Sequence, residues 1–134
     1  MAHSSLIIAL VDDDKIFQLT ASKTILATHL TNNILQFENG EEALQYIRQN
    51  ATAPERLPDY IFLDINMPFV DGWMFLGDYA TLKQDLTKPI TIFMVSSSID
   101  PRDMKRAKDN ANVKDYVVKP VTKEKFIELL QRTA

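Results

Sequence analysis

The chain is 134 residues long, carries a formal net charge of −3 and contains no cysteine. That length suits one domain with a single core, the mild acidity argues against a dedicated nucleic-acid binder, and the missing thiols exclude disulfides and thiol chemistry. No apolar run approaches the roughly 20 residues that span a bilayer, and the start "MAHSS" lacks the pattern of a secretion signal, so a cytoplasmic protein is the expectation.

The first apolar run, Leu6–Val11, reads as a strand, and its lack of polar alternation as burial on both faces. It meets three acids, Asp12, Asp13 and Asp14, the last suited to capping a helix. Ile16, Leu19, Leu26 and Leu30 keep roughly to one helical face and predict a first helix packed through them. Asn33–Phe37 reads as the second strand, and Ala43, Leu44 and Ile47 as the inward face of the second helix. Tyr60–Leu63 reads as the third strand, ending on Asp64, Ile65 and Asn66. After a third helical segment comes the fourth strand, Ile90–Val95, followed by Ser96, Ser97 and Ser98. Asp100-Pro101 reads as an N-cap with Pro at the first helical position, and Asn110 as the left-handed end of that helix. Tyr116–Val118 reads as the fifth strand, followed by Lys119 and Pro120. Thr122 is placed to cap a last helix whose Phe126, Leu129 and Leu130 face inward. His3 and His29 fall at no strand end and read as surface residues.

Five strands alternating with five helices predict an α/β fold: one doubly wound parallel sheet, helices on both faces, right-handed crossovers. Residues 1–134 then form a single domain with no output domain. Such sheets bind ligands beyond the carboxyl ends of their strands. The strand ends therefore carry the chemistry, and they offer carboxylates, hydroxyls and one amine.

Each of these has a bland role when taken alone. Acids after a strand often cap the next helix, a lysine before proline is usually solvated, and a serine run often forms a turn. Their joint occurrence after four separate strands points elsewhere. Crowded carboxylates repel one another, and a hard cation between them removes the repulsion. Mg²⁺ takes oxygen ligands at about 2.0–2.1 Å and retains several waters, so a few carboxylates suffice. A lysine beside them adds a second positive charge, and metal and ammonium together neutralise a phosphoryl group in transfer. A carboxylate can serve as the nucleophile and form an acyl phosphate. Asp64, single and at the end of the central strand, is the best placed.

The motifs "LVDDD" (10–14), "LDINMPFVDGW" (63–73), "FMVSSS" (93–98) and "DYVVKPV" (115–121) resemble those of the receiver domain of two-component response regulators, of the chemotaxis-regulator type. The resemblance covers nearly the whole chain, from Leu6 to about Arg132. It implies a flavodoxin-like (βα)5 sheet of strand order 2-1-3-4-5. It implies that Asp64 is the phosphoacceptor, supplied by a sensor histidine kinase or a histidine phosphotransfer protein. It implies Mg²⁺ held by Asp12, Asp13 and Asp64 together with the backbone carbonyl of Asn66, and Lys119 pairing with a phosphoryl oxygen. Ser96 matches the switch hydroxyl and Tyr116 the switch aromatic. Asn66 and Ser98 match positions that tune phosphoryl lifetime. Pro120 matches a proline that follows a cis peptide bond, and Met67-Pro68 and Gly72 match the loop after the phosphoacceptor. The chain departs from the family in having Ser96 where Thr is commoner, Asn110 where Gly is frequent, and a longer segment over 79–89.

The expected function is thus a phosphorylation-activated switch, not an enzyme beyond its own phosphorylation and dephosphorylation. It would signal to an unknown downstream protein through the face built from the fourth helix, fifth strand and fifth helix, as a monomer or weak dimer, with no nucleic acid or membrane involved. A phosphorelay intermediate that passes the group to a histidine phosphotransfer protein is the nearest alternative. A Mg²⁺-dependent phosphohydrolase would want a second Asp two residues after the nucleophile, where this chain has Asn66. A scaffold that leaves the site unused would not bind Mg²⁺. Trp73, close to Asp64 in sequence, is placed to report binding by fluorescence.

Overall fold

A computed structural model of the protein describes residues 6–67 and 69–132. His3 and Pro68 lie outside the described residues. Five strands, β1 (Ile7–Val11), β2 (Asn33–Phe37), β3 (Tyr60–Asp64), β4 (Thr91–Ser96) and β5 (Val113–Val118), alternate with five α-helices. These are α1 (Lys15–Ala27), α2 (Gly40–Gln49), α3 (Gly72–Leu82), α4 (Pro101–Lys108) and α5 (Lys123–Arg132), and a short 3₁₀ turn at Lys83–Asp85 follows α3. The strands form one parallel sheet in the order β2-β1-β3-β4-β5. The order reverses between β1 and β3, which opens the crevice there.

Side chains alternate across each strand, so one run of sequence feeds two cores. Ala9, Val11, Ile61, Leu63, Ile92 and Met94 pack with Ala43, Leu44 and Ile47 of α2, Phe75, Leu76 and Tyr79 of α3, and Ala107 of α4. Ile8, Leu10, Tyr60, Phe62, Phe93, Val95 and Val117 pack with Ala21 and Ile25 of α1 and Phe126, Leu129 and Leu130 of α5. In the second core, Phe62 stacks on Phe93 at 5.4 Å and meets Phe126 edge-on at 5.2 Å. Such pairs add about 0.5–1.5 kcal/mol each beyond area burial, which locks β3, β4 and α5 together directly behind the strand ends.

Burial on both faces holds for β1, β3 and β4, whose ends carry Asp12, Asp64 and Ser96. The edge strands differ: β2 and β5 are only partly covered. β5 also begins three residues before the apolar run Tyr116–Val118. An irregularity in its pairing with β4 accommodates Lys114, and the strand keeps polar residues because it lies at the edge.

The caps at Asp14, Asp100 and Thr122 are formed. Asp14 Oδ1 accepts from the amides of Ile16 and Phe17, Asp100 from that of Arg102, and Thr122 Oγ1 from that of Lys125. Of the expected inward face of the first helix, only Leu30, just past the end of α1, packs against the core. Ile16, Leu19 and Leu26 are exposed, and Gln18, Ala21 and Ile25 are buried instead. Apolar residues lie on both sides of this helix, and the packed side is carried by Ala21 and Ile25 with Phe17 against them and Gln18 buried among them. Asn110 is not left-handed: its side chain accepts from the amide of Asn112 and closes a local turn. Among the described residues, the left-handed non-glycine ones are His29, which is exposed just past the end of α1, and Phe69.

Candidate functional site

Parallel register carries four strand ends to one edge of the sheet. β1 stops at Val11 and β3 at Asp64, paired so that Leu63 lies opposite Val11, while Asp64 lies opposite Val95 of β4. Asp12, Asp64 and Ser96 are buried there, at 1%, 6% and 1% exposure, whereas Asp13 is exposed. One carboxylate oxygen from each of Asp12, Asp13 and Asp64 lies within 4.8 Å of the other two. Carboxylates this close with so little water need positive charge nearby.

Lys119, at the end of β5, supplies part of it. Its ammonium lies 2.9 Å from Asp12 Oδ2 and 3.7 Å from Asp64 Oδ1. It also sits 4.4 Å from the centroid of the Phe17 ring, whose face adds a favourable field. Its amide donates to the carbonyl of Ser96 at 2.9 Å, so β4 positions the lysine's backbone. The Lys119–Pro120 peptide bond is cis.

The same balance of charges bears on which groups hold protons. Burial pushes the Asp64 carboxyl up from 3.8 to about 7, the field of Asp12 adds to the rise, and Lys119 opposes it. Burial works against the Lys119 charge, but its hydrogen bond to Asp12 and the fields of Asp64 and Asp12 outweigh that and raise its pKa. One ammonium therefore does not fully compensate the acids. The donor set is three clustered carboxylates facing one ammonium, two positive charges short of balance when all are ionised, and it fits a hard divalent cation.

A second group of contacts runs away from the acids. Ser96 Oγ accepts from the amide of Ser98 at 3.0 Å. Ser98 Oγ donates to Asp103 Oδ2 at 2.8 Å and accepts from the amide of Asp100, which ties the loop to the start of α4. The half-buried Tyr116 donates its hydroxyl to the Ser98 carbonyl at 2.8 Å. On the other side, Gly72 donates to the Ile65 carbonyl at 2.8 Å, and a Cβ on it would lie 2.5 Å from the Asp64 carbonyl oxygen. Only glycine allows this approach. Asn66 is exposed in the loop that follows β3, and Met67 beside it is buried. Phe69 is left-handed at φ 67° and 91% exposed, a strained conformation for a bulky side chain.

The structure thus brings Asp12, Asp13, Asp64 and Lys119 into one cluster. It joins Ser96, Ser98 and Tyr116 in a second, linked to the first through the backbone of Lys119. Sequence reasoning passed over Gln18, whose buried amide touches the Asp12 backbone, and Arg106, which lies 4.3 Å over the Trp73 ring. Neither stands at a strand end, so nothing in the pattern marked them.

The family model of the response regulator receiver domain matches residues 8–131. The chain is 26% identical to the chemotaxis protein CheY of Bacillus subtilis, over 99% of this chain and 98% of that one. It is 32% identical to the two-component response regulator ORR41 of Oryza sativa subsp. japonica, over 98% of this chain and 97% of that one. A crystal structure of a two-component response regulator from Cytophaga hutchinsonii superposes with a TM-score of 0.84 at 30% identity, covering 94% of both chains.

Proposed function

The chain belongs to the response regulator receiver domain family of two-component signalling, and from that premise we propose that it is a phosphorylation-driven switch whose phosphoacceptor is Asp64. The observation that supports this most is the position of Lys119, whose ammonium spans Asp12 and Asp64 at the end of the central strand. A lysine held there by two buried acids is poised to meet a third anionic group.

In this reading an oxygen of Asp64 attacks the phosphorus of a phosphohistidine on a sensor kinase or histidine phosphotransfer protein. The O–P bond forms, the P–N bond breaks, and its electron pair returns to the imidazole nitrogen. Asp12, Asp13, Asp64 and the backbone carbonyl of Asn66 would hold Mg²⁺. Bound there, the ion supplies positive charge that offsets repulsion between the carboxylate and the phosphoryl oxygens. Lys119 stabilises the same charge from the β5 side. Asp64 must be ionised to attack; burial and Asp12 raise its carboxyl to about 7, and a cation held beside it would favour the ionised form.

Ser96 accepts from Ser98 but keeps its own proton free to donate to a phosphoryl oxygen. Movement of Ser96 would be passed to Ser98, which holds both Tyr116 and, through Asp103, α4. The output is a two-state change on the α4–β5–α5 face, read by a downstream protein in the cytoplasm. Asn66 and Ser98 border the site and would set how long the acyl phosphate lasts. Asp64→Asn tests the assignment directly. With a small phosphodonor and Mg²⁺, the wild-type chain should gain one base-labile phosphate and the variant none; labelling of the variant at the wild-type rate would overturn it.

A further inference from the structure

Gln18 is the polar side chain that α1 sends into the core. It is 8% exposed, and its Nε2 lies 3.2 Å from the Leu10 carbonyl, 3.0 Å from the Asp12 carbonyl and 3.0 Å from the Phe37 carbonyl. An amide has two hydrogens, so at least one of them is shared between two of these acceptors. Its own Oε1 is buried with no partner among the described residues. An orphaned buried acceptor is costly. Gln18 is therefore placed for what its NH₂ group does, with its oxygen left unsatisfied.

What the NH₂ group does is fasten the turn after β1. The Asp12 amide donates to the Phe37 carbonyl at 3.0 Å, while the Asp12 carbonyl is held by Gln18. Both peptide groups of Asp12 are thus tied to their surroundings. Its Oδ1 accepts from the Asp14 amide at 2.9 Å, and its Oδ2 faces Lys119. The helix is pegged at the same point, because Gln36 Nε2 donates to the Gln18 carbonyl and to Ser22 Oγ. Few torsions of Asp12 remain loose, and Asp13 follows it directly.

We propose that Gln18 is a positioning residue of the cation site, holding the backbone of Asp12 so that the Asp12 and Asp13 carboxylates converge on Asp64. This rests on the reading that the three acids take Mg²⁺. The alternative is that Gln18 only satisfies strand-end carbonyls and matters to stability alone. The two differ in what Mg²⁺ feels. Support behind a ligand costs about 10- to 100-fold in metal affinity when removed, whereas a purely structural loss leaves the folded site's affinity intact.

The experiment titrates Mg²⁺ calorimetrically into the full chain and follows the Mg²⁺ dependence of labelling by a small phosphodonor. Gln18→Met keeps shape and removes the donors. Gln18→Asn keeps the amide but is one methylene short, and serves if the first variant does not fold. Ile25→Val, buried on the same face of α1, is the control for lost packing, and urea unfolding places all three on one stability scale. The expected result is a Kd for Mg²⁺ raised about tenfold in the Gln18 variants and unchanged in Ile25→Val, with labelling at saturating Mg²⁺ within about twofold of wild type. Gln18 variants that lose stability yet bind Mg²⁺ as wild type does would overturn the proposal, as would an equal loss of affinity in Ile25→Val. Wild-type protein that binds no Mg²⁺ would overturn instead the reading beneath it.

Discussion

Replacing Asp64 by Asn should make the metal-free protein more stable, not less, at pH 8. Burial and the neighbouring Asp12 raise the Asp64 carboxyl from 3.8 to about 7. Between those values the folded protein holds a proton that the unfolded chain has released. Stability therefore falls as pH rises through that window, and the loss is complete above the folded value. At about 1.4 kcal/mol per pKa unit, the span from 3.8 to about 7 corresponds to something on the order of 4 kcal/mol. Part of this is shared with Asp12 and Lys119, so a gain of about 2–4 kcal/mol is expected for Asp64→Asn at pH 8, falling below about 1 kcal/mol near pH 4. Urea unfolding in the presence of a chelator, at several pH values, measures it. Saturating Mg²⁺ should narrow the gap from the other side, since 100 Kd of a ligand adds about 2.7 kcal/mol to the protein that binds it. A variant less stable than wild type at pH 8, or a gain that does not change with pH, would refute the electrostatic argument.

Gly72→Ala places a Cβ 2.5 Å from the Asp64 carbonyl and 2.9 Å from Ile65 Cα. It should lower the unfolding free energy by about 1–3 kcal/mol and slow labelling, because the backbone that must move carries Asp64, the proposed phosphoacceptor. Phe69→Gly removes a left-handed bulky residue and should gain about 1 kcal/mol in urea unfolding; a loss would mean that the exposed ring is held by contacts that outweigh its strain. Tyr116→Phe removes the bond to the Ser98 carbonyl and should cost about 1 kcal/mol, with faster amide exchange over 97–100 as its local signature.

Much of this fold is legible in sequence because three of its strands are buried on both faces and read as unbroken apolar runs. The edge strand β5 is not: Lys114 and Asp115 interrupt the pattern, and only pairing with β4 makes Val113–Val118 one strand. Helix α1 misleads for a different reason. Apolar residues lie on both sides, Ile16, Leu19 and Leu26 on the exposed one and Phe17, Ala21 and Ile25 on the packed one, where the Gln18 amide also meets strand-end carbonyls. Periodicity counts apolar residues and cannot see a hydrogen-bond demand. Nor does it locate left-handed residues without glycine: nothing in the pattern marks His29 or Phe69, and Asn110, whose residue type suits the conformation, does not adopt it.

The site was legible as a set of strand ends, since parallel topology gathers them whatever their separation in sequence. Its internal wiring was not. Lys119 contacts Asp12 more closely than Asp64, and Ser98 turns out to join Ser96, Tyr116 and Asp103. These depend on side-chain torsions and loop paths that residue order leaves open.

The acyl phosphate proposed at Asp64 can be sought chemically. Borohydride cleaves an aspartyl phosphate to homoserine, which peptide mass spectrometry places in the chain. After exposure to a small phosphodonor with Mg²⁺, the homoserine should appear at Asp64, and it should vanish when Mg²⁺ is chelated. Homoserine at Asp12 or Asp13, or equal labelling of Asp64 with the cation removed, would contradict the role assigned to this cluster.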